Sequence, residues 1–143
     1  MKDYKLVHLS GRLLEAGNRY ILAELKAHGI TDVVPAYGDL FAVLFEKSPV
    51  KVTEMADRMH RTKSTVSVLV DKLEKQGYVT KARSLEDARA LNVALTPKGM
   101  ALKPIFTDIS TKLAQKMCAG ISDEDLAVTQ RTLEELFNNL SKQ

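Results

Sequence analysis

Few residues in this chain could do covalent chemistry. Three histidines (His8, His28, His60) and one cysteine (Cys118) are spread over 143 residues. None recurs at the C-x2-C or H-x3-5-H spacings that close a metal site, so metal ligation has no support. The chain also has no G-x-G-x-x-G, no G-x-x-x-x-G-K-[ST] and no G-x-S-x-G. Dinucleotide cradling, P-loop phosphate binding and nucleophile-elbow catalysis therefore lack their motifs. With no nucleophile and base to pair, neither an enzyme nor a cofactor is expected. What remains is a run of cations in mid-chain, Lys51, Arg58, Arg61, Lys63, Lys72, Lys75, Lys81, Arg83 and Arg89, with the hydroxyls Ser64, Thr65 and Ser67 among them. Short hydroxyls both donate and accept hydrogen bonds, and lysines and arginines neutralise phosphates, so an electrostatic footprint for phosphates is one reading of this set.

The charge distribution supports that reading. The net charge is only +3, from 21 basic and 18 acidic residues. Positions 1–34, 35–50 and 90–143 are each within one unit of neutral, whereas Arg58 to Arg83 holds seven basic residues against two acidic ones. A solvated mixed-charge face is the competing explanation, and the order of the surrounding elements has to decide between them.

At about 100–200 residues per domain, the length predicts one compact chain without separate domains. A single cysteine cannot form an intramolecular disulfide, which fits a cytoplasmic protein. The longest apolar run is Leu40 to Phe45, far short of the ~18 residues a membrane span requires, and Met1 to Lys5 leads into no signal-like apolar core.

The elements that must position the basic segment follow from periodicity and capping. Leu6, Leu9, Leu13, Leu14, Ile21 and Leu25 predict a helix from Lys5 to about His28, closed by Gly29. Pro35 opens a second helix whose Leu40, Phe41, Val43, Leu44 and Phe45 are apolar nearly all round, a core helix ending before Ser48-Pro49. Thr53 is the expected N-cap of a short helix, Glu54 to Met59. Thr62 caps a fourth helix, in which Val66, Leu69, Val70 and Leu73 form one stripe until Gly77 stops it. That stripe turns Lys63, Ser64, Thr65, Ser67, Val68, Asp71, Lys72 and Lys75 to other faces. Two alternating segments, 78–83 and 91–95, predict strands joined by a seven-residue polar flap carrying Asp87 and Arg89. Thr96-Pro97 starts a long helix to about Ala119, kinked at Pro104, and Ser122 with Asp123, Glu124 and Asp125 starts a last one to about Leu140.

Helix, turn, helix, strand, basic flap, strand is a winged-helix order. The segments Thr53 to Met59, Lys63 to Val79, Glu86-Asp87-Ala88-Arg89-Ala90 and Leu95-Thr96-Pro97-Lys98-Gly99 together resemble the MarR family of bacterial transcriptional regulators, over nearly the whole chain. The resemblance implies a mainly α fold with a small β-hairpin wing: a winged helix-turn-helix (35–96) flanked by N- and C-terminal dimerisation helices (1–34 and 97–143). It further implies a homodimeric DNA-binding regulator, a repressor, bound to a pseudo-palindromic double-stranded operator. The alternative is a winged-helix protein-interaction module that binds no DNA.

On that basis Ser64, Thr65 and Ser67 are candidates for base-edge or phosphate contacts, Lys63, Lys72 and Arg83 for phosphate, and Arg89 for the minor groove. Asp87 is expected to orient Arg89 or Arg83 rather than touch DNA. Many relatives carry a basic residue where this chain has Val68, so either a contact is missing there or Val68 meets a thymine methyl. Ala88 similarly lowers the charge of the wing. His60 is a further phosphate candidate beside the turn, and Cys118 is read as a packing residue rather than a thiol sensor. The family also implies a small phenolic or aromatic effector in a crevice, for which Arg19, Tyr20, Tyr37 and Phe41 are the candidates. In the competing view Tyr37 and Phe41 are ordinary core and Arg19 a surface charge.

Overall fold

A computed structural model describes residues 5–142 of the chain. The segment Met1 to Tyr4, read as leading into no signal, and the terminal Gln143 lie outside the described residues. In chain order the elements are α1 (Leu6–Ala27), a 3-10 turn (Pro35–Tyr37), α2 (Gly38–Glu46), β1 (Val50–Lys51), α3 (Val52–Met59), α4 (Lys63–Lys75), β2 (Val79–Arg83), β3 (Leu91–Leu95), α5 (Pro97–Met100), α6 (Leu102–Met117) and α7 (Asp123–Ser141). The protein is mainly α with a small antiparallel sheet in the order β1-β3-β2. No helix among the described residues is long and apolar enough to cross a membrane.

Two expectations need correction. The helix placed at Glu54 begins at Val52, and its N-cap is Lys51, not Thr53. The cause is a third strand that a two-strand hairpin does not anticipate: Val50 and Lys51 pair with Val93 and Asn92, so the chain passes from strand to helix without a linker. The long helix from Pro97 is broken at Ala101 and ends at Met117. Pro104 sits in the first turn of α6, where its missing N–H costs nothing, and its ring would clash with the carbonyl four residues back if the helix ran straight through. Two compact units can be described in the chain, with the boundary between Ile109 and Ser110.

In the unit up to Ile109 the core is built on α2. Leu40, Phe41, Val43 and Leu44 are buried together with Met55 and Met59 of α3, Val66, Val70 and Leu73 of α4, Val79 and Val93 of the sheet, and Leu25 of α1. The Phe41 ring stacks on Phe45 at 5.7 Å between centroids and meets Phe106 and Tyr78 edge-on at 5.2 and 5.9 Å. Each such side chain contributes roughly 1.5–3 kcal/mol by leaving water, which fixes α3 and α4 against a rigid base. In the unit from Ser110, α7 is capped by Ser122, whose Oγ accepts the Asp125 N–H at 3.1 Å. Asp123, Glu124 and Asp125 complement the helix dipole there.

Candidate nucleic-acid interface

The start of α4 is set by hydroxyl chemistry. Thr62, extended at ψ 153°, caps the helix by accepting the Thr65 N–H at 3.2 Å. The same Thr62 Oγ1 donates to Thr65 Oγ1 at 2.8 Å and lies 3.2 Å from Ser64 Oγ. Before it, α3 closes on His60 in the left-handed region (φ 54°), and Arg61 N–H returns to the Ala56 carbonyl at 3.0 Å. The turn between the two helices is thus only three residues long. Val66, Val70 and Leu73 are fully buried, which leaves Lys63, Ser64, Thr65, Val68 and Lys72 exposed and Ser67 half-buried. No acidic residue occupies the first turn of α4, so nothing there offsets the partial positive charge of the exposed backbone N–H groups.

The far end of α4 is tied down by a second network. Gly77 adopts φ 84°, a region open to glycine without strain. Tyr78 Oη donates to Asp32 Oδ1 at 2.6 Å, Gln76 Nε2 donates to the Asp32 carbonyl at 2.9 Å, and Lys98 Nζ donates to the Gln76 carbonyl at 2.7 Å. Burial first, then the Asp32 hydrogen bond and charge, push the Tyr78 phenol well above its ordinary pKa. Thr96 completes the joint: its N–H donates to the Tyr78 carbonyl at 3.0 Å, its hydroxyl donates to the Gly77 carbonyl at 2.6 Å, and its Oγ1 accepts Gly99 N–H at 3.1 Å.

The wing loop is a folded turn, not a loose flap. Ser84, the one buried polar residue among those described, accepts the Glu86 and Asp87 N–H groups at 3.2 and 3.3 Å. Its own N–H donates to the Ala90 carbonyl at 2.9 Å. Asp87 acts on the backbone: its Oδ1 accepts the Arg89 N–H at 3.0 Å. Arg83 donates from its guanidinium to the Ala88 carbonyl at 2.7 Å. Asp87 therefore shapes the turn that presents Arg89 instead of gripping either guanidinium, because the tight turn brings backbone, not side chains, within its reach.

Between α4 and the wing lies a cavity of about 300 Å³, lined by Lys63 and Ser67 from α4, Asp87 and Arg89 from the wing, and Lys51 and Thr53 from the strand-to-helix junction, among others. The structure thus gathers three predicted DNA-facing residues, Lys63, Ser67 and Arg89, on one concavity. Sequence reasoning counts Lys51 among the cations but does not place it here. Its place there depends on β1, whose two residues are too short to leave a periodic signal. Lys63, Lys72, Arg83 and Arg89 pair with no carboxylate among the described residues. Lys81, by contrast, is held by Asp71 at 2.5 Å and Glu74 at 3.4 Å, and the Asp71 hydrogen bond is the main cause of its raised pKa. Arg58 is likewise paired with Glu46.

The four effector candidates are placed apart in character. Phe41 is fully buried and Tyr37 nearly so, both in the core. Tyr20 is half-buried, and Arg19 is exposed with its guanidinium 3.4 Å from Glu15. None of them lines the cavity between α4 and the wing. His60 is exposed and Cys118 half-buried.

Comparison with known proteins agrees with this geometry. The MarR family profile matches residues 40–91, the stretch from α2 to the start of β3. The helix-turn-helix regulator YpoP of Bacillus subtilis is 31% identical over 103 residues, covering 72% of this chain and 70% of YpoP. The regulator SarZ of Staphylococcus epidermidis is 29% identical over 118 residues, 82% of this chain and 74% of SarZ. The fold is similar to that of MepR from S. aureus, solved in complex with DNA, with a TM-score of 0.84 over 96% of this chain and 99% of MepR at 20% identity. The chain belongs to the MarR family of helix-turn-helix transcriptional regulators, and it is a DNA-binding protein of that type, not an enzyme.

Proposed function

We propose that this protein is a homodimeric repressor in which each winged helix reads one half of a pseudo-palindromic operator. The observation that carries the reading is the concavity that gathers Lys63, Ser67 and Arg89, cations unpaired, between the recognition helix and the wing. In this reading α4 enters the major groove with Ser64, Thr65, Ser67 and Val68 toward base edges. Lys63, Lys72 and Arg83 meet phosphates, and Arg89, presented by the Asp87 turn, enters the adjoining minor groove. Dimerisation falls to the helices outside residues 35–96, and the cytoplasm is where such a dimer would meet its DNA. Its support is the apolar surface of α1, where Leu6, Val7, Leu9, Leu13, Leu14 and Leu22 are all exposed, and of α7, which buries no residue. So much apolar surface is more than a monomer ordinarily leaves in water, and a two-fold partner would cover it.

The test is binding of duplex DNA flanking the protein's own gene, followed by fluorescence anisotropy at several salt concentrations, with sedimentation of the protein alone. Dimer mass, steep salt dependence and a large affinity loss in Arg89→Ala without loss of the dimer are expected. Salt-independent binding, or a monomer that shifts no DNA, would overturn the proposal. Relief by a small aromatic anion belongs to the same reading. With Tyr37 and Phe41 committed to the core, Arg19 and Tyr20 are the residues to meet it, and benzoate titrated into the DNA complex of wild type and Arg19→Ala is the check.

A further inference from the structure

The segment forming α4, Lys63 to Lys75, contains no arginine, asparagine or glutamine. Those side chains, together with lysine, read adenine or guanine with two matched hydrogen bonds, and the lysines beside this face, Lys63 and Lys72, are the ones assigned to phosphate above. The short hydroxyls that remain are partly engaged within the protein, since Ser64 Oγ and Thr65 Oγ1 lie 3.2 and 2.8 Å from Thr62 Oγ1. Asp71 is held by Lys81. In the middle of this face stands Val68, 54% exposed. It lies four and three residues after Ser64 and Thr65 and three and four before Asp71 and Lys72, the spacings that place side chains side by side on a helix. Neither helix formation nor the core accounts for a valine there. Its propensity is below that of alanine, leucine, lysine or glutamate, and Val66, Val70 and Leu73 already fill the buried side.

We propose that Val68 is the specificity-determining residue of the recognition helix, packing on the C5-methyl of a thymine and so selecting a T·A pair at one position of each half-site. The inference rests on α4 facing the major groove as proposed above. Among the four bases only thymine presents a methyl group there, while the other edges present donors and acceptors. A valine against those edges would strip their water without supplying a partner. The Val68 face is therefore discriminating by what it lacks as well as by what it touches.

Deoxyuridine in place of thymidine removes the methyl and leaves the Watson–Crick pair unchanged, which isolates the contact. Sites selected from a random duplex library by the full-length protein should share a T·A pair at one position per half-site. Each thymidine of a selected half-site is then replaced singly by deoxyuridine, and binding is measured for wild type and Val68→Ala, with thermal melting to confirm that the exposed substitution leaves the fold intact. At one position the wild type should weaken roughly fourfold, the scale of one buried methyl, and Val68→Ala should change hardly at all. A scan in which no position weakens the wild type, or in which Val68→Ala weakens equally, overturns the assignment and leaves α4 as a DNA-facing helix. Failure to select any duplex would overturn both.

Discussion

Gly99→Ala would strike the joint that holds α4 to the rest of the unit. A Cβ at this position would lie 2.2 Å from the Tyr78 carbonyl oxygen, 3.0 Å from Leu95 Cδ2 and 3.2 Å from the Tyr78 carbonyl carbon. Carbon–oxygen contacts settle near ~3.3–3.6 Å, so α5 and the start of β2 must separate by about an ångström. The oxygen is backbone and cannot swing away as a side chain would. It also accepts the Thr96 N–H at 3.0 Å, so separation weakens a hydrogen bond at a buried residue. Overpacking costs about 1–3 kcal/mol, and an impaired buried hydrogen bond adds about 1–2 kcal/mol. Alanine returns up to about 1 kcal/mol of helix propensity. The net expectation is a loss of about 3 kcal/mol, or a fall in Tm of about 6–12 °C at roughly 2–4 °C per kcal/mol for a chain of this size. Thermal unfolding followed by circular dichroism measures it, with Gly38→Ala as the control: a methyl group on that helical glycine would meet nothing within 4 Å, and alanine there should be neutral or stabilising. A Gly99→Ala protein that melts within about 2 °C of wild type would refute the reasoning, because no clash of this size relaxes at so little cost.

Thr62→Ala removes the N-cap of α4 and should cost about 1 kcal/mol in urea unfolding. Because the unfolded tyrosine ionises near 10.0 and the folded Tyr78 phenol well above it, the folded state holds a proton that the unfolded state has released, so stability should fall with rising pH above about 10 by ~1.4 kcal/mol per unit. Tyr78→Phe should abolish that share of the alkaline loss at the expense of about 1 kcal/mol near neutrality; the raised Lys81 also loses its contribution as pH rises, but equally in both proteins, so their difference reports Tyr78. Three phosphate contacts per protomer, from Lys63, Lys72 and Arg83, predict a slope of log affinity against log salt of about −5 for the dimer, and Lys72→Ala should make it shallower by about 2. Lys81→Ala should leave that slope nearly unchanged, since Lys81 is already paired; an equal change in both would show that the paired lysine opens onto DNA.

The parts of the fold legible in the sequence are those determined within a turn or two of chain. Thr62, Gly77, Thr96 with Pro97, and Ser122 act on backbone groups three or four residues away, and all four mark element ends where expected. The failures lie where a distant partner decides. Thr53 has the right chemistry for a cap, but Val50 finds Val93, 43 positions on, and the resulting strand moves the helix start upstream. The need for a glycine at position 99 likewise comes from a distant group, the Tyr78 carbonyl, 2.2 Å from where a Cβ would stand.

The charge of the candidate site is not legible in the sequence. Counting cations from Arg58 to Arg83 credits Lys81 and Arg58 equally with Lys63 and Lys72, yet folding sets the first two against Asp71, Glu74 and Glu46. Exposed pairs of this kind contribute little to stability, ~0–1 kcal/mol each; what they change is how much of the counted charge is left without a counter-charge. The Lys81 pairs join β2 to the exposed side of α4, and Arg58 joins α3 to the end of α2. Among the described residues of this stretch, the cations without a carboxylate partner are Arg61 in the turn, Lys63, Lys72 and Lys75 on α4 and Arg83 at the end of β2, and of these Lys63 lines the cavity. A sequence count overstates how much charge DNA would meet and understates how narrowly it is aimed.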